Sequence, residues 1–400
     1  MSDRVVVTGA GVIASIGAGV EEFERNLFAG CSGVGPSPLM GGNAVAAEVR
    51  NFNPQPWLGN KGIRVLDRSA RLLSVAAHMA LGSTGLSQQE GDGDPDLGLV
   101  CGTMFGSVHS ITSFDWSGIT EGPNYVNPME FPNTVINSPS GQAAIKHKLR
   151  GVNSTISAGL VSGLYAIHYA AEFLRFGRAT ALMAGGVEEL CEESFLSFAK
   201  VGVISQRGCP QPFGPDRDGT VLGEGSALWM METAAGAEAR GAKAQLEVCG
   251  FGATQDAHDV TAFRVRGEGA TSAIRQALRS AGIEPDAIGG IIAGASGSRA
   301  GDEMEVHALR NVFGDRLGRI PVCAPKSAYG EAMGASGALG ALTAGLALAK
   351  GFVPPTAGYH ANNAGLMLSS QPQALNKEYA LVNCFGCDGN NAALVLKGLN

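Results

Sequence analysis

The stretch Ser154-Thr-Ile-Ser-Ala-Gly-Leu160-Val-Ser-Gly-Leu-Tyr-Ala-Ile-His168 decides the reading of this chain. It begins as a short apolar strand, turns sharply at a glycine, and continues as an apolar helix predicted to run to about Phe176. Strand, tight turn and helix together make a nucleophile elbow, which projects one side chain at a helix N-terminus. The free backbone N–H groups and positive dipole end there suit a thiolate or an oxyanion. That chemistry asks for Cys or Ser at the apex, and the apex is Leu160.

Around this stretch, the composition bounds the answer. A chain of 400 residues is long enough for two domains or two fused halves, and 45% apolar residues supply a large core. Its 58 glycines are about twice the usual share, which implies tight turns and close backbone approaches. A net charge of −7 argues against nucleic acid or an anionic membrane surface as a partner. Eight cysteines are scattered through apolar or Gly-rich runs, as reduced buried thiols are. Cys384 and Cys387 form a C-x-x-C with neither a second ligand pair nor a visible helix N-terminus, so no metal and no cofactor are expected. The apolar run from Val5 to Val20 is broken by glycines and has no basic region beyond Arg4. It reads as buried strand and turn rather than a signal peptide or membrane span, and a cytoplasmic location is expected.

Along the chain, strands and helices alternate. A strand is predicted at 4–8, then Gly9-Ala-Gly11-Val-Ile-Ala14 and a helix from near Val20. The G-x-G-x-x-A match is half of a dinucleotide fingerprint, but no acidic residue ends a second strand about 20 residues on. A helix is predicted at 66–81, a polar loop at 88–96, a strand at 97–101, an irregular, partly aromatic segment at 102–125 and a helix at 138–149. After the elbow come a strand at 180–184 and an acidic run, Glu188-Glu189 with Glu192-Glu193, which reads as a solvated helix start. Strands at 227–232 and 245–251 flank a short helix at 233–240 that Thr233 is placed to cap. The second half repeats the logic with helices at 270–281 and 302–313, a strand at 289–293, and adjacent strands at 380–384 and 392–396. The segment 337–349 is small and almost wholly apolar, so it should be a helix buried on all sides. The pattern is that of an α/β protein with two related halves, divided as 1–250 and 251–400.

Specific motifs carry a family resemblance over nearly the whole chain. They are Val5-Val-Val-Thr-Gly9, Phe213-Gly-Pro-Asp216-Arg-Asp218-Gly219 leading to Leu222-Gly-Glu-Gly225, Ala300-Gly301-Asp302 with Glu305, Pro325-Lys326-Ser327, Pro354-Pro355-Thr356 and Asn383-Cys-Phe385-Gly386. With these the chain resembles the thiolase-fold β-ketoacyl synthases. The resemblance implies a thiolase-like layered α-β-α-β-α fold made of two related halves. It also implies three working groups: an elbow Cys that takes an acyl chain as thioester, and two His residues that assist malonyl decarboxylation. Backbone N–H groups at the elbow and in a C-terminal Gly-rich loop would form the oxyanion hole, here those of Leu160 and Cys387. All three side chains differ in this sequence. The Cys position is Leu160, the first His position is Gly294 and the second is Glu331. Lys326 and Glu305 remain as support, and Glu331 is placed to form a salt bridge with Lys326. Ser157 and Ser162 read as turn hydroxyls bonded to backbone.

Leu160 cannot form a thioester and Gly294 has no side chain to transfer a proton, so no catalytic residue is assigned. The resemblance then points to a chain-length-factor-like subunit, which pairs with an active ketosynthase as a heterodimer or its doubled form and serves acyl carrier protein. Phe105, Phe114 and Trp116 would border the acyl tunnel. Met129, Glu130 and Phe131 would reach the partner, beside an interface formed by 153–158 and 127–137. Two alternatives stay open: a divergent thiolase-fold acyltransferase or malonyl decarboxylase using a non-Cys group, and a lone scaffold for acyl carriers.

Overall fold

The computed structural model describes residues 4–41, 43–86, 93–359, 361 and 364–399. The chain opens with β1 (Val5–Ala14) and α1 (Val20–Phe28). Then come α2 (Arg68–Gly82), β2 (Leu97–Gly102), α3 (Val108–Thr120) and α4 (Ser138–His147). The elbow is β3 (Asn153–Ile156) followed by α5 (Ser162–Arg175), and the first half closes with β4 (Ala181–Glu188), α6 (Glu192–Val201) and β5 (Gly225–Thr233). Thr233 caps α7 (Ala234–Ala239) by accepting from the Gly236 N–H. The second half is β6 (Leu246–Gln255), α8 (Glu268–Ala281), β7 (Ile288–Ile292), α9 (Arg299–Phe313), β8 (Val322–Cys323), α10 (Ser336–Lys350), β9 (Tyr379–Phe385) and β10 (Asn390–Gly398). The polar loop expected at 88–96 lies largely outside the described residues. Among the described residues, no helix is long and apolar enough to cross a membrane.

The strands run in the order β8-β7-β9-β10-β6-β1-β5-β4-β2-β3, with Gly17–Ala18 folding back on β1. Each half contributes three parallel strands and two antiparallel ones in the same sequence of steps. Among the described residues, Val6 with Glu247 and Val7 with Leu246 join the halves through the sheet. The second set begins at β6, so a division at 250/251 falls inside that strand. Helices α5 and α10 pack between the two halves, α2 and α4 cover the outer face of the first, and α8 and α9 that of the second. This is an α-β-α-β-α stack. As its composition implies, α10 is buried from Ser336 to Leu348.

The repeat extends to single glycines. A Cβ on Gly11 would lie 2.0 Å from the Ala76 carbonyl of α2, and one on Gly252 would lie 2.1 Å from the Ala273 carbonyl of α8. A Cβ on Gly250 would lie 2.3 Å from the Ala277 carbonyl of α8, and one on Gly9 would lie 2.4 Å from the side chains of Ser83 and Thr84, just past the end of α2. The Gly9-x-Gly11 pair therefore sits inside one continuous strand and lets a helix cross it, with no phosphate loop.

Two expectations need correction. The segment 102–125 is not irregular throughout: Val108–Thr120 is helical, although none of its residues is buried. With no buried stripe there is no 3.6-residue apolar period to read. The helix is held instead by packing on α6 and by the Phe114–Phe131 ring contact at 6.0 Å. Of the acidic run, Glu192 and Glu193 do open α6, but Glu188 and Glu189 are buried. Glu188 ends β4 and accepts from the Thr103 hydroxyl and the N–H groups of Met104, Phe105 and Gly334. Glu189 accepts from the Ser69 N–H.

Burial pushes the Glu188 carboxyl up to about 7; for Glu189, burial and then the charge of Asp67 push it up to about 8. Raised folded-state values mean that stability is fully present below the ordinary carboxyl range and is lost as pH rises through about 7 to 8. Melting temperature should fall between about pH 6 and about pH 9. Glu189→Gln keeps an oxygen for the Ser69 N–H and should flatten that fall by about 1 kcal/mol or more. Thermal melts of both proteins across this range check it, and a variant as pH-sensitive as the parent contradicts it.

Candidate functional site

The elbow is a rigid device. Gly159 adopts φ +64, and a Cβ there would meet the Asp388 carboxylate at 2.1 Å, so only glycine fits this turn. The Ser162 hydroxyl donates to the Gly159 carbonyl at 2.6 Å and accepts from the Ala158 N–H at 2.9 Å. The Ser157 hydroxyl donates to the Met104 carbonyl at 3.2 Å. Both serines therefore serve the turn. Leu160 stands at the apex, just ahead of α5 and 5% exposed, and its carbonyl accepts from the Cys384 thiol at 3.1 Å.

Leu160, Gly294, Glu305, Glu331 and Cys387, far apart in sequence, line one small, half-open space. The room inside it for the centre of a water-sized sphere is ≈ 30 Å³, enough for roughly two waters. Hydrophobic walls come from Phe198, Phe263, Met304 and Phe385.

Glu331 faces this space and is fully engaged. Its Oε2 accepts from Lys326 Nζ at 2.6 Å, and its Oε1 from the Ser336 hydroxyl at 2.5 Å and the Met333 N–H at 3.2 Å. Burial acts to lower the Lys326 pKa, but the Glu331 charge overrides it and the net direction is upward. The ammonium thus stays charged. Glu305 accepts from the Gly294 N–H at 3.0 Å and Asn383 Nδ2 at 2.8 Å through Oε1, while Oε2 is buried without a partner. Burial pushes its carboxyl up to about 7. Asp302, at the start of α9, accepts from the N–H groups of Phe213, Ser296 and Gly297, and burial raises it to about 6.

This arrangement holds charge in place and has no free nucleophile at the apex. Among the described residues, no group of three or more His, Cys, Asp or Glu is placed to hold a metal. His168 stacks on Phe251 at 4.3 Å, and His109 pairs with Glu193 at 3.1 Å, both outside the site. Of the residues assigned to a tunnel, Phe105 lines an outer space that adjoins the first at Leu160, and packs edge-on against Phe198 at 6.4 Å. Phe114, Trp116, Met129, Glu130 and Phe131 line neither space. They lie on an outer surface, where Trp116 is 64%, Met129 67% and Phe131 61% exposed. Sequence reasoning missed Phe198, Phe263, Met304 and Thr220 as walls, since no local pattern marks them. Phe385 had a signal, since it stands in the Asn383-Cys-Phe385-Gly386 motif.

Comparison with known proteins agrees with this architecture. The β-ketoacyl synthase N-terminal domain matches residues 2–237 and the β-ketoacyl synthase C-terminal domain matches residues 246–360. The chain is 33% identical to a 3-oxoacyl-[acyl-carrier-protein] synthase 2 of Coxiella burnetii, over 98% of both chains. It superposes on the ishigamide ketosynthase/chain length factor with a TM-score of 0.92 and 31% identity, covering 100% of both chains. It also superposes, at TM-score 0.87 and 26% identity over 100% of both chains, on a type II PKS acyl-carrier protein complex with its ketosynthase bound to the hexaketide. From its two matched domains and its layered fold, the chain belongs to the β-ketoacyl synthase family.

Proposed function

We propose that this chain is a non-catalytic, chain-length-factor-like subunit that pairs with an active ketosynthase and shapes its acyl tunnel in type II polyketide, polyene or fatty-acid-like synthesis. The observation that carries the reading is Leu160 at the apex of an intact elbow, facing Gly294 and Glu331 across one space. An alkyl side chain cannot take up an acyl group, and the Glu331 carboxylate is committed to Lys326, Ser336 and Met333. The platform is preserved while the chemistry is missing from it.

The outer surface supports the pairing. Among the described residues β3 is an edge strand, with β2 on one side and no strand on the other. Next to it, α3, the 127–137 segment and α4 pack together and expose Trp116, Ile119, Tyr125, Met129, Phe131 and Ile145. Apolar area of this kind around an open strand edge marks an interaction site. An obligate partner would cover on the order of 2,000 Å² or more there. In the pair, Met129, Glu130 and Phe131 reach toward the partner's tunnel, and the carrier protein delivers to the partner. The assembly is an αβ heterodimer or its doubled form.

Three outcomes test this reading. Intact-mass measurement after incubation with acylated carrier protein should show no adduct, and Leu160→Cys should not create a synthase, because Gly294 and Glu331 leave decarboxylation unassisted. An adduct on the parent chain, or turnover by that single variant, contradicts the reading. Glu331→Ala strands a buried Lys326 charge and should cost about 3–5 kcal/mol, read by denaturant unfolding. On co-expression with a type II ketosynthase, native mass measurement should find a heteromer, and Met129→Asp, at a side chain 67% exposed, should abolish it without lowering the melting temperature of the free chain. A stable homodimer that ignores the ketosynthase contradicts the partner assignment.

A further inference from the structure

The segment 108–137 does little to hold itself in place. Among its described residues Asn133 alone is buried. Ordering so long a stretch costs conformational entropy at every residue, and burial of apolar surface is the main term that offsets it. Its helix, α3, does not supply the difference. The sequence Val108-His-Ser-Ile-Thr-Ser-Phe-Asp-Trp-Ser-Gly-Ile-Thr120 contains no Ala, Leu, Met, Glu, Gln, Lys or Arg, so it has none of the strong helix formers. Isolated helices shorter than about 12–15 residues are marginal in water even when rich in Ala. The segment is pinned near its two ends. At the start, His109 Nδ1 lies 3.1 Å from the Glu193 carboxylate, and the Ser110 hydroxyl donates to Asp67 at 3.1 Å. Near the finish, Asn133 Nδ2 donates to the Val65 carbonyl at 3.1 Å, and its Oδ1 accepts from the Ser138 hydroxyl at 3.0 Å. Between the pins, side-chain bonds close within the segment: Ser117 to the Phe114 carbonyl, Thr120 to that of Trp116, and Asn127 to Glu130.

Its composition is nevertheless not that of a solvated loop. Trp116, Met129 and Phe131 are exposed, and so are Ile119 at 76% and Tyr125 at 74%. Segments that stay solvated are poor in such residues, so this apolar content belongs to a surface that is covered. Its carboxylates, Asp115, Glu121 and Glu130, have no Lys or Arg beside them anywhere from 108 to 137. The neighbouring edge, β3, reads Asn153-Ser-Thr-Ile156 and has none of the Lys that blunts an exposed strand edge. A surface of this kind fits a partner that is apolar at the centre and cationic at the rim.

We propose that the segment 108–137 has little stability of its own and is fixed in this form by the partner ketosynthase, whose covering face is apolar with a rim of Lys and Arg that meets Asp115, Glu121 and Glu130. This rests on the partner-subunit reading and adds to it a coupled ordering step and a charge requirement. Coupled ordering spends part of the binding free energy on fixing the segment, so affinity depends on how completely the partner covers it. The test is amide hydrogen exchange read by mass spectrometry, on the purified chain and on its co-expressed heteromer with a type II ketosynthase. In the free chain, amides of α3 should exchange at close to the unfolded rate while those of α5 and α10 stay protected. In the heteromer, exchange across α3 should slow by roughly a hundredfold or more. Asp115→Lys, Glu121→Lys and Glu130→Lys combined should weaken pairing at least roughly tenfold and leave the melting temperature of the free chain unchanged. Asp115→Asn, Glu121→Gln and Glu130→Gln combined should weaken it less. Protection of α3 in the free chain equal to that of α5 overturns the coupling, as does a heteromer in which α3 exchanges as fast as in the free chain, and neither result touches the pairing itself. A charge reversal that leaves pairing intact overturns the cationic rim. A chain that forms no heteromer overturns the partner-subunit reading and this proposal with it.

Discussion

Behind the elbow, backbone meets backbone at four glycines, of which Gly163, Gly186 and Gly334 bring the two halves together while Gly102 packs β2 on α5. A Cβ on Gly102 would lie 2.4 Å from the Ser162 backbone, one on Gly163 2.8 Å from the Ala338 nitrogen, and one on Gly186 2.7 Å from the Gly334 carbonyl. On Gly334 it would meet the Met104 nitrogen at 2.4 Å. β2, β4, α5 and the turn before α10 therefore meet at distances that no side chain permits. Such contact is stiff, because interiors packed at crystal density transmit displacement rather than absorb it. It sets Leu160, on one side, against Glu331, on the other. Glu188 completes the junction by accepting from Gly334 on one strand of the contact and from Thr103, Met104 and Phe105 on another. Without that carboxylate, several buried N–H groups would have no acceptor.

The buried ion pair beside this junction is satisfied entirely by the protein's own groups. Lys326 and Glu331 are each 3% exposed and 2.6 Å apart. A buried charge needs a counter-charge and bonds for its remaining lone pairs, and Glu331 finds both in Lys326, Ser336 and Met333. The carboxylate also ties down the turn leading into α10, since Met333 and Ser336 flank the start of that helix. A group used in this way is unavailable to a substrate. The geometry around Gly294 gives the same result, because its N–H is spent on Glu305.

Inside, the site is narrow and apolar at its neck; outside, the same half of the molecule presents exposed aromatic and aliphatic side chains next to an unpaired strand edge. Those two facts favour a role exerted through the surface. Retaining a rigid elbow without a nucleophile makes physical sense if the elbow's contribution is to hold β3 and α5 in shape for a partner.

Much of this was legible in the sequence, for physical reasons that can be named. The elbow, the Thr233 cap and the almost wholly apolar α10 are local patterns, read over a few turns of chain. The departures at Leu160, Gly294 and Glu331 were readable because each stands inside a motif, and a single residue type excludes or permits a reaction. The Lys326–Glu331 bridge was foreseeable from a five-residue spacing in a buried motif. Other features were decided only by tertiary structure. Gly9 and Gly11 look like a phosphate loop until α2 is seen crossing them. Glu188 and Glu189 look like a solvated helix start until β4 buries them. Helix α3 carries no apolar period because none of its residues is fully buried. Phe198 and Thr220 come beside Leu160 only when the first half folds, and Phe263 and Met304 only when the second half closes on it. Backbone propensity, capping and the chemistry of one side chain are properties of adjacent residues. Burial, hydrogen-bond satisfaction and cavity shape depend on contacts between residues hundreds of positions apart, and those exist only in the folded chain.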